Sequence, residues 1–332
     1  MREPGFWWRR SLAGALLAPA GALYGAVSAA RMRRPGVRAA VPVICVGNLT
    51  LGGSGKTPTA IAIAQLLKDR GHTPVMLTRG YGGRERGPLR VTPQARAETV
   101  GDEPLLLARA APTIVAADRP VGATLAVEHG ADVIVMDDGL QNPSLQKDLS
   151  LAVVDGRRGI GNGRVFPAGP LRAPLAAQLR HIDAALIVGE ADGAAPVIAV
   201  TLAHHRPVFH AALAPDPLTV AQWRGRRVLA FAGIGDPQKF FDTLAEAGID
   251  TAIRRAFPDH HRYTAQEAAA LIATAERDRL HLLTTEKDLV RIAGDAALTA
   301  LAERASALPV TLELREPQAF ASFVLAGIER QS

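Results

Sequence analysis

Residues 42–60 read PVICVGNLTLGGSGKTPTA, and no other stretch restricts the possible folds of this chain as strongly. Val43, Ile44, Cys45 and Val46 make a short unbroken apolar run, which suits a strand of a parallel sheet covered on both faces. The chain then turns polar and glycine-rich. Gly52, Gly53 and Gly55 permit close backbone approach to a ligand, and Lys56-Thr57 leads into IAIAQLLKDR, a helix that Gly71 is placed to end. Strand, glycine loop, Lys-Thr and helix is the order that cradles a nucleotide triphosphate.

Each residue type has a physical task in that arrangement. Backbone N–H groups along Thr50, Leu51, Gly52, Gly53, Ser54 and Gly55, with the helix N-terminus behind them, offer partial positive charge to phosphate oxygens. Lys56 would bridge the β- and γ-phosphates, and Thr57 would hold Mg²⁺. Pro58 is tolerated because the first helical turn needs no N–H donor. Thr50 stands where G-x-x-x-x-G-K-[ST] has its first glycine, yet the strand before and the helix after meet the motif's structural requirement.

Charge is placed unevenly. Residues 1–38 carry seven arginines (Arg2, Arg9, Arg10, Arg31, Arg33, Arg34, Arg38) against the single acid Glu3, an excess equal to the formal +6 of all 332 residues. Everything after Arg38 is neutral overall, so a basic pI does not describe a basic body, and a nucleic-acid-binding surface loses its support. Between the arginines, Ser11 to Ala30 holds no charged residue. Twenty residues suffice to cross a bilayer, but this run is mostly Ala and Gly with Pro19 inside it. On a helical wheel Leu12, Leu16, Leu17, Leu23, Tyr24 and Val27 share one face. With Trp7, Trp8 and the flanking arginines, that face suits a helix lying in the interface against anionic headgroups. A secretory signal and a buried core helix compete with this reading, although an exported nucleotide enzyme would find no ATP. The single cysteine, Cys45, leaves no internal disulfide and suits a reducing compartment.

Beyond the glycine loop, apolar runs and helical patterns alternate. Strands are predicted at Val75–Thr78, Thr113–Ala117, Val133–Met136, Leu151–Val154 and Ala185–Val188, with helices at Asp102–Ala110 and Arg119–His129 between them. This predicts an α/β fold, a phosphate-loop kinase-like parallel sheet flanked by helices, with ligands at the carboxyl ends of the strands. VIAVT and PVFHAAL read as two further strands, and Pro215, Pro217 and WRGRR mark a boundary. A second α/β pattern follows, with strands at Val228–Ala232, near Thr251 and at Leu280–Thr284, and helices at Pro237–Ala247 and Thr264–Asp278. The expected organisation is an N-terminal membrane-associating segment (1–36), a nucleotide-binding domain (37–196), a pair of strands (197–217) and a smaller α/β domain (218–332).

Several polar residues stand out. VIVMDDGLQ delivers Asp137 and Asp138 from an apolar strand, the form expected of a carboxylate that holds Mg²⁺ beside the phosphates, and either could be the ligand. Gln141 could contact the phosphates or orient that pair. Asp102 precedes an apolar helix, so capping is its structural alternative. FPDHHRYT groups Asp259, His260 and His261, but adjacent histidines seldom converge on one metal ion without further ligands. His204-His205 reads as a solvated turn.

GNLTLGGSGKTP, LTRGYGG, VGDEP, VMDDGLQ, FPAGPLR, AFAGIGDP, FPDHH and TTEKD, in this order and spacing, resemble the tetraacyldisaccharide 4'-kinase family of lipid A biosynthesis over nearly the whole chain. The resemblance implies ATP- and Mg²⁺-dependent phosphorylation of the 4'-hydroxyl of a tetraacylated glucosamine disaccharide 1-phosphate, at the cytoplasmic face of a Gram-negative inner membrane. It makes the pair of strands at 197–217 a two-stranded linker. It implies a catalytic base at Asp102 and a partner histidine at His260, with His261 as the alternative. Arg79, Tyr81 and Arg172 are candidates for holding the disaccharide or its 1-phosphate, since arginine pairs with phosphate in bidentate geometry. The chain departs from the family pattern at Leu140, at Asn142-Pro143-Ser144 and at Ala173. The rival from another class is a membrane-associated regulatory or partitioning NTPase, whose loop would carry a lysine at Thr50 and which has no need of the DHH block.

Overall fold

The computed structural model describes residues 3–9 and 11–329; Arg2 and Arg10 of the basic segment lie outside the described residues. β1 (Val43–Gly47) is buried along its whole length, as its unbroken apolar run requires. It lies at the centre of a nine-stranded sheet. The remaining strands of that sheet are β2 (Pro74–Thr78), β3 (Leu89–Arg90), β4 (Thr113–Val115), β5 (Val133–Asp137), β6 (Leu149–Asp155), β7 (Ala184–Val188) and β8 (Val208–Pro215), completed by Val310–Leu314 late in the chain. A smaller sheet holds β9 (Arg227–Ala232), β10 (Asp250–Ala256), β11 (His281–Thr285) and β12 (Ala305–Leu308), and Val310–Leu314 is therefore β13.

The large sheet runs β13-β8-β7-β6-β1-β5-β2-β4-β3. Only its two edge pairings are antiparallel, β3 with β4 and β13 with β8. Because β1 pairs with β5 on one side and β6 on the other, its carboxyl end opens at the centre of the sheet, where α/β folds place their ligands. The small sheet, β10-β9-β11-β12, is parallel throughout.

The helix Lys56–Asp69 covers β1 with Ala60, Ile63, Ala64 and Leu67, all fully buried in the main core. Burial on that scale stabilises by about 1.5–3 kcal/mol for each large side chain. Gly71 follows with φ 86°, a conformation that suits glycine.

Two expectations need correction. Val197–Thr201, read as a linker strand, lies in the helix Ala195–Ala203. Pro196 sits in its first turn, and Val197 and Thr201 share its buried face, with the Thr201 hydroxyl donating to the Val197 carbonyl at 2.7 Å. The antiparallel partner of β8 is instead β13, register Val310 with Pro215 through Leu314 with Ala211, so the two connecting strands are separated by almost a hundred residues of sequence. Consequently the smaller unit does not run to the C-terminus. After β13 the helix Pro317–Glu329 buries Phe320, Val324 and Ile328 in the core of the larger sheet.

The N-terminal segment forms two helices, Leu12–Leu16 and Ala18–Met32, and no helix among the described residues is long and apolar enough to cross a membrane. Gly21 and Gly25 face the body of the protein, where a Cβ on Gly21 would stand 2.7 Å from the Val165 carbonyl oxygen. The other side leaves Leu12, Leu16, Leu23 and Val27 63–85% exposed.

Candidate active site

At the carboxyl end of β1 the chain enters the glycine loop through Asn48, whose side-chain amide donates to the Gly52 carbonyl at 3.1 Å. Gly52 and Gly55 have φ of 99° and 91°, where a side chain would be strained, and the turn they make sets Lys56 as the first residue of its helix. Lys56 Nζ lies 3.7 Å from Asp138 Oδ1, and burial lowers its pKa against the opposing pull of Asp138. Thr50 does not line the cavity described below; its carbonyl instead accepts from Arg172 Nε at 3.0 Å.

β5 ends at Asp137, and the following Asp138 adopts φ 57°, so the two neighbouring carboxylates have different surroundings. Asp137 is buried, with Oδ2 at 3.5 Å from Thr57 Oγ1 and Oδ1 without a hydrogen-bond partner among the described residues. Burial pushes its pKa up to about 7, Lys56 opposes and Asp138 adds to the rise. Asp138 is paired with Arg172 at 2.7 and 3.2 Å. Its pKa is low because Arg172 and Lys56 outweigh the effect of burial. An orphaned buried carboxylate oxygen beside a threonine hydroxyl fits a hard divalent cation, and this fit favours Asp137 over Asp138.

Gln141 donates to the Asn48 carbonyl at 2.7 Å and to Gln178 at 2.8 Å, so it braces the loop and Arg172. Arg172 is committed to Asp138, Thr50 and Gln141, which ties it to the glycine loop and to the turn after β5. Arg79 and Tyr81 are exposed, and both line a cavity of 1340 Å³ that also contains Lys56, Asp137 and Asp138.

His260 lines that same cavity, contributed by the smaller unit. Its Nδ1 lies 3.4 Å from Asp102 Oδ2, and its ring packs edge-on against Tyr81 at 5.0 Å. His261 turns away, bonding at 3.0 Å to Glu267, which also closes the capping box with Thr264. The structure thus pairs Asp102 with His260. Asp102 is the first residue of its helix, behind Gly101 at the cap position, so it does not serve as the helix cap.

Two basic residues that the sequence reading left without a role complete this corner. Arg291 bonds Asp102 Oδ2 through Nε at 2.7 Å and through Nη2, and Lys287 pairs with Glu103 at 2.9 Å. Both lie on the helix Glu286–Ala293, spaced four apart, a pattern that in sequence reads as a solvated face. Burial disfavours the Asp102 charge, but the His260 bond, the Glu103 contact and the charges of Arg291 and Lys287 hold its pKa far below the usual carboxylate range. His260 is shifted upward, because Asp102 and Glu103 outweigh burial. Asp102, Glu103 and His260 are close enough to share an ion, yet Lys287 and Arg291 already neutralise the two carboxylates.

A second cavity, of 930 Å³, adjoins on the side of the N-terminal segment, with Phe6, Trp7, Leu17, Phe166 and Pro167 on its apolar wall. Asp102 lines it, and Leu51, Gly52, Tyr81, Asp259 and His260 line both cavities. The two cavities therefore meet at His260.

Comparison with known proteins identifies the family. The sequence profile described as tetraacyldisaccharide-1-P 4'-kinase matches residues 13–329. A tetraacyldisaccharide 4'-kinase of Rhodopseudomonas palustris (strain BisA53) is 56% identical over 329 residues, covering 99% of this chain and 96% of that protein. One of Methylobacterium nodulans is 58% identical over 322 residues, covering 96% and 94%. Among solved structures, the "apo" form of LpxK from Aquifex aeolicus in complex with ATP superposes with a TM-score of 0.73 at 26% identity, over 95% of this chain and 99% of that one. Matched by the family profile over residues 13–329 and by relatives along almost their full length, the chain belongs to the tetraacyldisaccharide-1-P 4'-kinase family.

Proposed function

We propose that this enzyme transfers the γ-phosphoryl group of ATP to the 4'-hydroxyl of a tetraacylated glucosamine disaccharide 1-phosphate at the cytoplasmic face of the inner membrane. The observation that carries the reading is the shared wall: His260, backed by Asp102 at 3.4 Å, faces the same 1340 Å³ cavity as Lys56, Asp137 and Asp138. The loop that would hold a phosphate donor and the histidine that backs the proposed proton acceptor thereby line one space.

The loop from Leu51 to Gly55 and Lys56 hold the triphosphate, and Arg172 keeps Asp138 in place behind it. Thr57 and Asp137 would hold Mg²⁺, which when bound offsets charge on the β- and γ-phosphate oxygens. The sugar oxygen bonds to the γ-phosphorus as the bond to the β–γ bridging oxygen breaks, and the hydroxyl proton passes to Asp102, oriented by His260. ADP leaves with the bridging oxygen. Tyr81, which lines both cavities, and Arg79, on the larger one, contact the disaccharide or its 1-phosphate. The acyl chains take the wall of Phe6, Trp7, Leu17, Phe166 and Pro167, and the exposed face of Leu12, Leu16, Leu23 and Val27 rests on anionic lipid.

A second assignment of the proton has one observation in its favour. Both Asp102 oxygens already accept hydrogen bonds, Oδ1 from the Glu103 N–H and Oδ2 from Arg291. On that assignment His260 Nε2 takes the proton and Asp102 stabilises the imidazolium.

The test is transfer from labelled ATP to the tetraacyl disaccharide 1-phosphate by the intact enzyme, Asp102→Ala and His260→Ala. Lipid-dependent transfer that Asp102→Ala abolishes supports the reading; near-normal turnover in Asp102→Ala rejects it. Residual turnover in His260→Ala favours Asp102 as the direct acceptor, and a loss equal to that of Asp102→Ala favours His260. ATP hydrolysis that ignores the lipid would point to a regulatory NTPase.

A further inference from the structure

We propose that Arg291 is a positioning residue for proton transfer: reaching from the smaller α/β unit, its guanidinium holds the Asp102 carboxylate in place, so the proton-accepting pair is complete only when the two units are closed together. The proposal rests on the reading above that Asp102 belongs to that pair.

From its own unit the Asp102 carboxylate receives the Glu103 N–H at 3.2 Å and the contact with the Glu103 side chain. Its other partners come across the interface, His260 at 3.4 Å and Arg291 at 2.7 Å, and both act on the same oxygen, Oδ2. Those two partners are themselves aligned by one backbone group. The Gly233 carbonyl accepts from Arg291 Nη1 at 2.7 Å and from the His260 N–H at 3.0 Å.

Arg291 cannot swing freely, because Nη1 also donates to Asp288 Oδ1 at 2.8 Å. Asp288 is fully buried and accepts in addition from the Gly233 N–H at 3.1 Å, Tyr263 Oη at 3.0 Å and Thr285 Oγ1 at 2.6 Å. A carboxylate held by so many donors fixes the guanidinium, and the guanidinium fixes Asp102. Lys287, one turn earlier on the same helix, holds Glu103 in the same way. A contact that only glued the units together would need neither a two-bonded grip on the carboxylate nor alignment with His260.

The charged and titratable groups around Asp102 are Glu103 on its own helix, Lys287 and Arg291 on the facing helix, and His260, which in turn meets Tyr81 and Asp259. Removing the Arg291 charge withdraws one of the two cations that keep Asp102 ionised. With less countercharge on Oδ2, the Asp102–His260 pair holds the imidazolium proton more strongly, and the acid limb of the rate, which reports loss of that proton, moves to higher pH.

The experiment measures kcat and KM for ATP from pH 5 to 9 with the full chain and the tetraacyl disaccharide 1-phosphate, for wild type, Arg291→Gln, Arg291→Lys and Asp102→Asn, with thermal melts alongside. Arg291→Gln should lower kcat at least about tenfold with KM for ATP nearly unchanged, and should move the acid limb about one pH unit upward. Arg291→Lys keeps the charge, so it should retain the wild-type limb while losing part of kcat through the lost fork geometry. A lowered melting temperature with wild-type kcat and limb overturns the proposal, as does a limb that shifts equally in both Arg291 variants. If Arg291→Gln fails to fold, Arg291→Lys decides: undiminished kcat overturns the assignment. Near-normal turnover in Asp102→Asn defeats the underlying reading of the base, whereas an inactive Asp102→Asn with a wild-type profile in Arg291→Gln defeats only the role of Arg291.

Discussion

Arg172 grips Asp138 with two hydrogen bonds, 2.7 Å to Oδ1 and 3.2 Å to Oδ2, and so decides which of two adjacent aspartates is left with a free oxygen. The pair tightens the loop after β5 against Thr50 and holds a negative charge 3.7 Å from Lys56. Since the Asp138 side chain is 37% exposed, water screens the interaction, and Arg172→Met should cost about 1–2 kcal/mol of stability. Asp138 titrates below its unfolded value, so this contribution is present above about pH 4 and is lost as pH falls through the depressed value. Melting curves of wild type and variant should therefore converge in strong acid; a constant gap would contradict the assignment.

Asp137 has the opposite sign. Its pKa is raised to about 7, mainly by burial, so its ionisation opposes folding as pH climbs from about 4 to 7 in the absence of ligand. Asp137→Asn should melt higher than wild type at pH 8 without nucleotide. It should also lose the extra stabilisation that Mg²⁺ adds to ATP, and lower turnover by about 10²-fold or more. Equal responses to Mg²⁺ in both proteins would remove Asp137 from the metal site.

Leu16 and Val27 are 81% and 63% exposed on the N-terminal helices. Leu16→Glu with Val27→Glu should leave the melting temperature within about 1–2 °C of wild type while reducing recovery with anionic vesicles several-fold. Undiminished vesicle binding would show that this face does not meet lipid.

Phe320 is 1% exposed and meets Phe209 of β8 edge-on at 5.2 Å, which ties the C-terminal helix to the large sheet. Phe320→Ala should cost about 3–5 kcal/mol in denaturant melts and should disturb the nucleotide-binding body. A loss confined to the smaller unit would contradict that attachment.

Much of the fold was legible because its strands follow a simple rule. A four-residue apolar run such as Val133–Met136 must be buried on both faces, and the helix Asp102–Ala110 has the composition and bounds that its pattern announces. Val197–Thr201 was misread for an identifiable reason: a short β-branched run has no period long enough to tell strand from helix, and packing of Val197 and Thr201 against the body decided it. The return of residues 310–329 to the large sheet left no local mark, since pairing between β13 and β8 is a long-range event.

In the site, the phosphate loop was readable because its chemistry lies within one continuous segment, from Gly52 to Thr57. The choice of His260 over His261, the difference between Asp137 and Asp138, and the grip of Arg291 on Asp102 were not readable, for each depends on which groups meet across space. Sequence alone determined the nucleotide loop, the parallel strands and the basic apolar N-terminal segment, because local composition and periodicity suffice for these. Tertiary structure decided the partners of Asp102, Asp137 and Asp138, because the burial and countercharge that set a carboxylate's state come from residues distant in sequence, 189 positions in the case of Asp102 and Arg291.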